Sequence, residues 1–445
     1  MRFLSSLLCI LLFSVSVFSN NPKYCESQDY FTVAASITWP QTPLQYLNQV
    51  PDETGALKDY FIYHNRPTDD LILEVPKRPH IMGVHGGIPG LESIFALGYS
   101  WQLGDAFTKY GYGSSSIEFR SYVLGLGTVD LCSDEFITEG IKTFYRSIHD
   151  TRAAINYLFD NSKELGIDTS YFFLYGNSLG ATSILQAALV KDEMEWLSKF
   201  PEYQDLILND PQFTPWPPQR KIAGIISIAG NIQDLDFLDE EDNVPLFMGH
   251  GVCDLITPFG EDNALDCELA PIVYGPEAIL SKAIETETPL SIHAINNLGH
   301  GWPEGFNTSF FNVIRDWMKN QILCGTPVLE CTIYDDEIDP EFYFDCPKTD
   351  ICDLISSDIS ESATSLELNI FPNPGTDEIN IAKNLSTHEN IFVEVYDING
   401  EQIVTRKKTE NSCTIDMSNV PSGVYYLKFT SGNIVQTKAW VNIKN

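Results

Sequence analysis

Gly176-Asn177-Ser178-Leu179-Gly180 follows the apolar run Tyr171–Tyr175 and leads directly into Ala181–Leu185, which reads as a helix. A serine on such a strand-to-helix turn projects its hydroxyl from the carboxyl edge of a sheet, and the flanking glycines relieve crowding there. The helix N-terminus offers the backbone N–H of Leu179 to a developing oxyanion. That chemistry is nucleophilic acyl transfer, which also needs a second oxyanion donor, an acid and a base. Upstream, His85-Gly86-Gly87 comes straight after the apolar run from His80, so Gly86 and Gly87 are the donor candidates. The acid candidate is Asp254, at the end of Val244–Asp254, where an apolar strand runs into Gly249-His250-Gly251. Asp262 and Asp266 lie well inside the following loop and are weaker rivals. The base candidate is His300, on the Gly-flanked loop Asn296-Asn297-Leu298-Gly299-His300-Gly301 after the last expected strand. Of the other histidines, His64, His149 and His388 lie on early elements or in the C-terminal segment. His80 and His85 precede the serine, and His250 and His293 sit at or within strands.

These residues need a scaffold, and the sequence supplies one. From about 57 to 323, short apolar runs alternate with longer helical patterns, the signature of an α/β fold with a mostly parallel sheet flanked by helices. Strands are expected at Asp59–His64, His80–His85, Ser116–Leu124, Tyr171–Tyr175, Ile222–Ile228, Val244–Met248 and Ser291–Asn296. Helices are expected at Gly140–Phe159, Leu179–Val190 and Phe306–Gln321. Leu97–Tyr112 and Asp205–Arg220 are candidates to line or cover a pocket.

Residues 326–365 read as an acidic, Cys-containing linker, with Tyr334–Asp339 and Ser356–Ser362 poorly periodic. Neither this stretch nor Asp234–Asp242 has the glycine and terminal glutamate of a calcium loop, so no metal site is read there. From 366 to 445, short alternating runs separated by Asn-Gly, Pro-Gly and Ser-Gly signals predict a small all-β sandwich. It shows no catalytic set.

Residues 1–19 read as a secretory signal peptide: Arg2, then a Leu/Ile/Val/Phe run, then Val17-Phe18-Ser19. No later apolar stretch is long enough to span a membrane, which takes about 20 residues. The catalytic domain is then 20–325. Of the ten cysteines, Cys9 falls in the signal, leaving nine, an odd number, for an oxidising compartment. Cys253 and Cys267 flank the Asp254 loop, and a bridge closing about 15 residues is worth roughly 3 kcal/mol on the chain-entropy estimate. That pair is therefore expected. The balance of 27 Lys+Arg against 61 Asp+Glu gives a net charge of −34. It excludes nucleic acid as a partner and disfavours strongly anionic substrates.

Residues from about 50 to 323, which carry Ser178, Asp254 and His300, resemble the α/β-hydrolases, with secreted carboxylesterases and lipases nearest in pattern. The matching residues are His85-Gly86-Gly87, the helix Asp150–Leu158, Gly176-Asn177-Ser178-Leu179-Gly180, Asp254 and His300. Ile88 stands where the family's turn has a third glycine. The resemblance implies a cofactor-free serine esterase: Ser178 attacks, His300 moves the proton, Asp254 orients His300, and Gly86, Gly87 and Leu179 form the oxyanion hole. The substrate would be a small-molecule or polymer ester. Serine peptidases of the prolyl-oligopeptidase type use the same residue order, and a binding or adhesion protein on the same scaffold is a further alternative. Ile370–Pro374, Val395–Gly400 and Val420–Lys428, with Lys438, resemble the C-terminal sorting domain of the Bacteroidetes type IX secretion system. That implies the secretion machinery as a partner and a secreted or cell-surface location.

Overall fold

The computed structural model describes residues 22–25, 37–38, 42–52, 54–68, 77–87, 92–121, 130–210, 213–239, 243–300, 308–335, 344, 346–355, 368–371, 375–376, 378–383, 391–397, 402–409, 412–431, 434–442 and 444. The signal-like stretch 1–19, Ile88 and His388 lie outside them. The chain divides after Cys352 into two compact units.

The first unit is built on a ten-stranded sheet. Its strands are β1 (Ile37–Thr38), β2 (Leu44–Pro51), β3 (Leu57–Pro67), β4 (Arg78–Val84), β5 (Gly113–Ile117), β6 (Ile167–Asn177), β7 (Gly224–Ile228), β8 (Leu246–Gly251), β11 (Leu290–Ile295) and β12 (Glu330–Tyr334). The order is β1-β3-β5-β4-β6-β7-β8-β11-β12, with β2 also on β3. Pairing is antiparallel around β3 and parallel from β5 to β12. β9 (Glu261–Asn263) and β10 (Ile272–Tyr274) form a separate antiparallel hairpin. Every residue of β4, β5, β7, β8 and β11 is buried, as a parallel sheet covered on both faces requires. The cover includes helices α1 (Glu92–Ala106), α2 (Asp134–Asp160), α3 (Leu179–Leu189), α4 (Pro276–Glu285) and α5 (Thr308–Trp317). This is the mostly parallel sheet flanked by helices expected from the sequence.

Local chemistry accounts for the main elements. Ser133 caps α2 by accepting from the Phe136 N–H, with Asp134 and Glu135 in the first turn, where the helix dipole favours negative charge. β5 ends at Ile117, several residues before the expected strand's end. Its central pairing residues are Ser114–Ser116, which no apolar pattern reveals. Their hydroxyls are buried but satisfied, Ser115 by His80 Nε2 at 2.6 Å and Ser114 by Thr108 at 2.7 Å.

The expected linker is partly sheet. β12 pairs with β11 from Ser291↔Glu330 to Ile295↔Tyr334, so the first unit runs past residue 325 to Cys352. A five-residue edge strand within an acidic segment gives too little periodicity to be read. Among the described residues, four disulfides join Cys25–Cys324, Cys132–Cys267, Cys253–Cys346 and Cys331–Cys352. The expected Cys253–Cys267 bridge is therefore corrected. The connection between β9 and β10 carries Cys267 away from the turn that holds Cys253 and packs it against Phe136 and Ile137 of α2. The two bridges formed instead span 135 and 93 residues. Longer closed loops remove more unfolded-chain entropy than the short one would.

Among its described residues the second unit has seven strands in two antiparallel sheets, one of three strands and one of four. Ile379, Ile381 and Ile415 of one sheet share a core with Val393, Leu427, Phe429 and Trp440 of the other. The Tyr425 hydroxyl donates to the Pro421 carbonyl at 2.8 Å, pinning the entry to its strand. It is the small β-sandwich that the turn spacing predicts.

Candidate active site

Ser178 sits between β6 and α3 with φ 51° and ψ −126°, a backbone region a non-glycine residue enters only when its surroundings hold it there. Two backbone bonds hold it: its N–H donates to the Ile228 carbonyl at 2.9 Å, and its carbonyl accepts from the Thr182 N–H at 3.0 Å. The flanking glycines are there for space. A Cβ on Gly180 would lie 2.1 Å from the Val84 carbonyl oxygen, and one on Gly176 would lie 2.6 Å from the Gly180 backbone. The turn thus needs α3 to run against the end of β4, which only glycine permits.

Ser178 Oγ is 2.9 Å from His300 Nε2. On the far side of the ring, His300 Nδ1 lies 2.8 Å from Asp254 Oδ2 and 3.2 Å from Thr257 Oγ1. Asp254 is buried at the turn leaving β8. Its Oδ1 accepts from the N–H groups of Ile256 and Thr257, both at 2.9 Å, and its Oδ2 accepts from the Thr257 hydroxyl at 2.9 Å. His250 Nε2 stands 3.3 Å from Oδ2. Burial alone would raise this carboxyl, but hydrogen bonds from His250 and His300 outweigh it and hold it well below the ordinary carboxylate range.

Gly86 and Gly87 lie beside the serine. A Cβ on Gly86 would touch Ser178 Cβ at 3.5 Å, and one on Gly87 would press on the Leu179 side chain at 2.9 Å. Burial pushes His85 down to about 4, despite its hydrogen bond to Gly86. The neutral ring therefore donates from Nδ1 to the Gly86 carbonyl at 2.8 Å. In a planar trans peptide the Gly87 N–H points opposite that carbonyl. Next to Ser178 a cavity of about 180 Å³ opens, walled by Phe136, Ile141, Phe144, Leu179, Ile256 and Val273. α2 and the β9–β10 region form it, not Leu97–Tyr112 or Asp205–Arg220. Cys132–Cys267 ties those two walls together.

The structure thus brings together Ser178, Asp254, His300, Gly86, Gly87 and Leu179. It places Asp262 on β9 and Asp266 on the turn after it. Sequence reasoning missed Thr257 and His250, both in contact with the Asp254 carboxylate. The Asp-x-x-Thr spacing was the available signal, since a carboxylate commonly accepts from the backbone and hydroxyl of a turn that it opens. Among the described residues no group of three or more His, Cys, Asp or Glu is arranged to hold a metal ion. No helix among them is long and apolar enough to cross a membrane.

Residues 369–444 match the secretion system C-terminal sorting domain. No curated protein matches the chain by sequence. Several solved structures are similar to it at low identity. One is the butyrate-bound Est2 esterase of the planctomycete Thermogutta terrifontis, at 14% identity and TM-score 0.41, covering 64% of this chain and 96% of that one. Another is MGS-M1, an α/β hydrolase from a Medee basin deep-sea metagenome library, at 13% identity and TM-score 0.39, covering 66% and 99%. A third is esterase Est22, at 16% identity and TM-score 0.36, covering 64% and 80%.

Proposed function

We propose that this chain is an exported serine hydrolase of carboxylic esters, acting through Ser178, His300 and Asp254. The observation that carries this reading is the continuous hydrogen-bond chain from Ser178 Oγ through both nitrogens of His300 to Asp254, opening on an apolar cavity. In the first step His300 Nε2 takes the hydroxyl proton as Ser178 Oγ bonds to the ester carbonyl carbon. The carbonyl oxygen becomes an oxyanion, held by the backbone N–H groups of Leu179 and the Gly86-Gly87 turn. Collapse expels the alcohol, which takes the proton from His300. Water then attacks the acyl-enzyme by the same route, releasing the acid and restoring Ser178. Asp254 stays ionised throughout, fixing the His300 tautomer and stabilising the imidazolium.

The cavity supports an uncharged substrate with a short aliphatic or single-ring group, since a cavity of ~150 Å³ holds benzene. The sorting domain supports delivery to the cell surface or beyond. The test is hydrolysis of nitrophenyl esters of increasing chain length and of peptide amides, by the wild type and by Ser178→Ala. The wild type should favour short esters, and Ser178→Ala should lose at least about 10⁴-fold in kcat. Equal turnover by both proteins would remove Ser178 as nucleophile. Amide turnover exceeding ester turnover would make the protein a peptidase.

A further inference from the structure

We propose that Phe344 and Cys346 form a strap that positions the His300 loop against the Asp254 loop, so that the Cys253–Cys346 disulfide serves the geometry of catalysis as well as the stability of the fold. This rests on the reading of Ser178, Asp254 and His300 as the catalytic residues; the strap residues touch no reacting atom.

Asp254 and His300 come from different turns, one leaving β8 and one leaving β11. The 2.8 Å contact between them depends on how these turns are held. Part of the hold is direct. The N–H groups of Val252 and Cys253 donate to the carbonyls of Ile295 and Leu298, both at 2.9 Å. A Cβ on Gly251 would lie 2.4 Å from the carbonyl oxygens of Leu298 and Gly299, so the two backbones are in contact.

The chain beyond β12 then returns to both turns at once. Cys346 is bonded to Cys253, the residue immediately before Asp254. Two residues earlier, the Phe344 N–H donates to the Asn297 carbonyl at 2.8 Å, and Asn297 Nδ2 donates back to the Phe344 carbonyl at 3.1 Å. Asn297 has φ 62°, a left-handed conformation that this reciprocal pair helps to hold. The Phe344 ring lies over Gly299, the residue immediately before His300, where a Cβ would meet Cε2 at 2.4 Å. Further along, the Thr349 N–H donates to Asn296 Oδ1 at 3.1 Å.

Phe344 remains 46% exposed, so core burial does not account for where its ring sits. Its contacts include Asn297 and Gly299 on the loop that carries the base, and the disulfide of Cys346, two residues on, is with the residue just before the acid. The strap therefore closes a ring of covalent and hydrogen bonds around the Asp254–His300 pair.

A misplacement of about 1 Å in such a pair costs roughly 10²-fold in rate. The test compares Cys253→Ser/Cys346→Ser, Phe344→Ala and Phe344→Leu with Cys331→Ser/Cys352→Ser, all in the full chain. The last removes a bridge of the same segment that touches neither turn. On a short nitrophenyl ester, the first double variant and Phe344→Ala should lose about 10- to 100-fold in kcat, with KM within about threefold of wild type. Phe344→Leu should recover most of the Phe344→Ala loss. The Cys331/Cys352 variant should keep its kcat even where its melting temperature falls. Should Cys253→Ser/Cys346→Ser not fold, the two Phe344 variants carry the test alone. A wild-type kcat in the strap variants, or an equal kcat loss in the Cys331/Cys352 variant, would overturn the strap. Wild-type protein without Ser178-dependent ester turnover would overturn the reading of the site and the strap with it.

Discussion

Thr257 does two things to Asp254 at once: its N–H reaches Oδ1 and its hydroxyl reaches Oδ2, while His300 approaches the same oxygen. The hydroxyl thus helps to fix which carboxylate lone pair faces the imidazole. Asp254→Asn should lower kcat by about 10³- to 10⁴-fold, because an amide presents a donor where the ring needs an acceptor. Thr257→Val removes one hydrogen bond to a charged group, worth ~1.5–3 kcal/mol in a buried setting, and should lower kcat by roughly tenfold with KM little changed. Steady-state kinetics of both variants on one ester check this, and an equal loss in the two would contradict the graded roles. At this scale Ser178, Asp254 and His300 were legible because each sits beside glycines at the end of an apolar run. Thr257 and His250 were not, since their partnership with Asp254 depends on how the turn folds. The cysteine pairing failed for the same kind of reason: proximity in sequence said nothing about where the β9–β10 connection carries Cys267.

Between residue and molecule, the junction of β5 with α2 sets the wall behind Gly87. Arg120 and Asp150 are both buried there, with Arg120 Nε and Nη2 on the carboxylate at 2.9 and 2.6 Å and the Arg120 N–H donating to it at 2.9 Å. Burial would raise Asp150, but Arg120 and His149 overcome this and hold it far below the ordinary range. The next residue, Ser121, has its carbonyl 3.5 Å from where a Gly87 Cβ would stand. The ion pair therefore anchors the segment that backs the Gly86-Gly87 turn. Asp150→Ala leaves a buried guanidinium without its carboxylate and should destabilise the first unit by about 3–5 kcal/mol. Urea unfolding at neutral pH measures it, and a change under about 1 kcal/mol would show the pair to be dispensable. α2 was legible from its helical spacing, and β4, β6, β7, β8 and β11 from their apolar runs. β5 and β12 were hidden, one by buried serines and the other by its acidic surroundings. A strand whose burial is satisfied by hydroxyls leaves no hydrophobic signature.

At the scale of the whole molecule, the acidic composition invites the expectation that carboxylates govern behaviour in acid, yet the buried histidines act first. Burial pushes His64, His85 and His293 down from 6.5 to about 4, and His80 well below its ordinary value. A histidine with a depressed pKa is neutral in the folded chain where the unfolded chain is protonated. Its contribution is therefore full above 6.5 and is lost as pH falls from 6.5 toward 4, at up to about 1.4 kcal/mol per pH unit for each ring. Asp52, lowered to about 2 from 3.8 by its hydrogen bonds to Thr54 and Lys58 against the effect of burial, acts only below that window. All four histidines belong to the first unit, and the described residues of the second include none. Two unfolding transitions are thus expected near pH 7.5, and only the one belonging to residues before 353 should move down steeply at about pH 5. Calorimetry of the whole chain at both pH values tests this, with the excised 353–445 segment scanned alongside to assign the second transition. A first transition unmoved between the two would mean that these rings take up protons without unfolding. Both transitions falling together would trace the acid response to the carboxylates that the two units share, and so restore the reading that composition alone suggests.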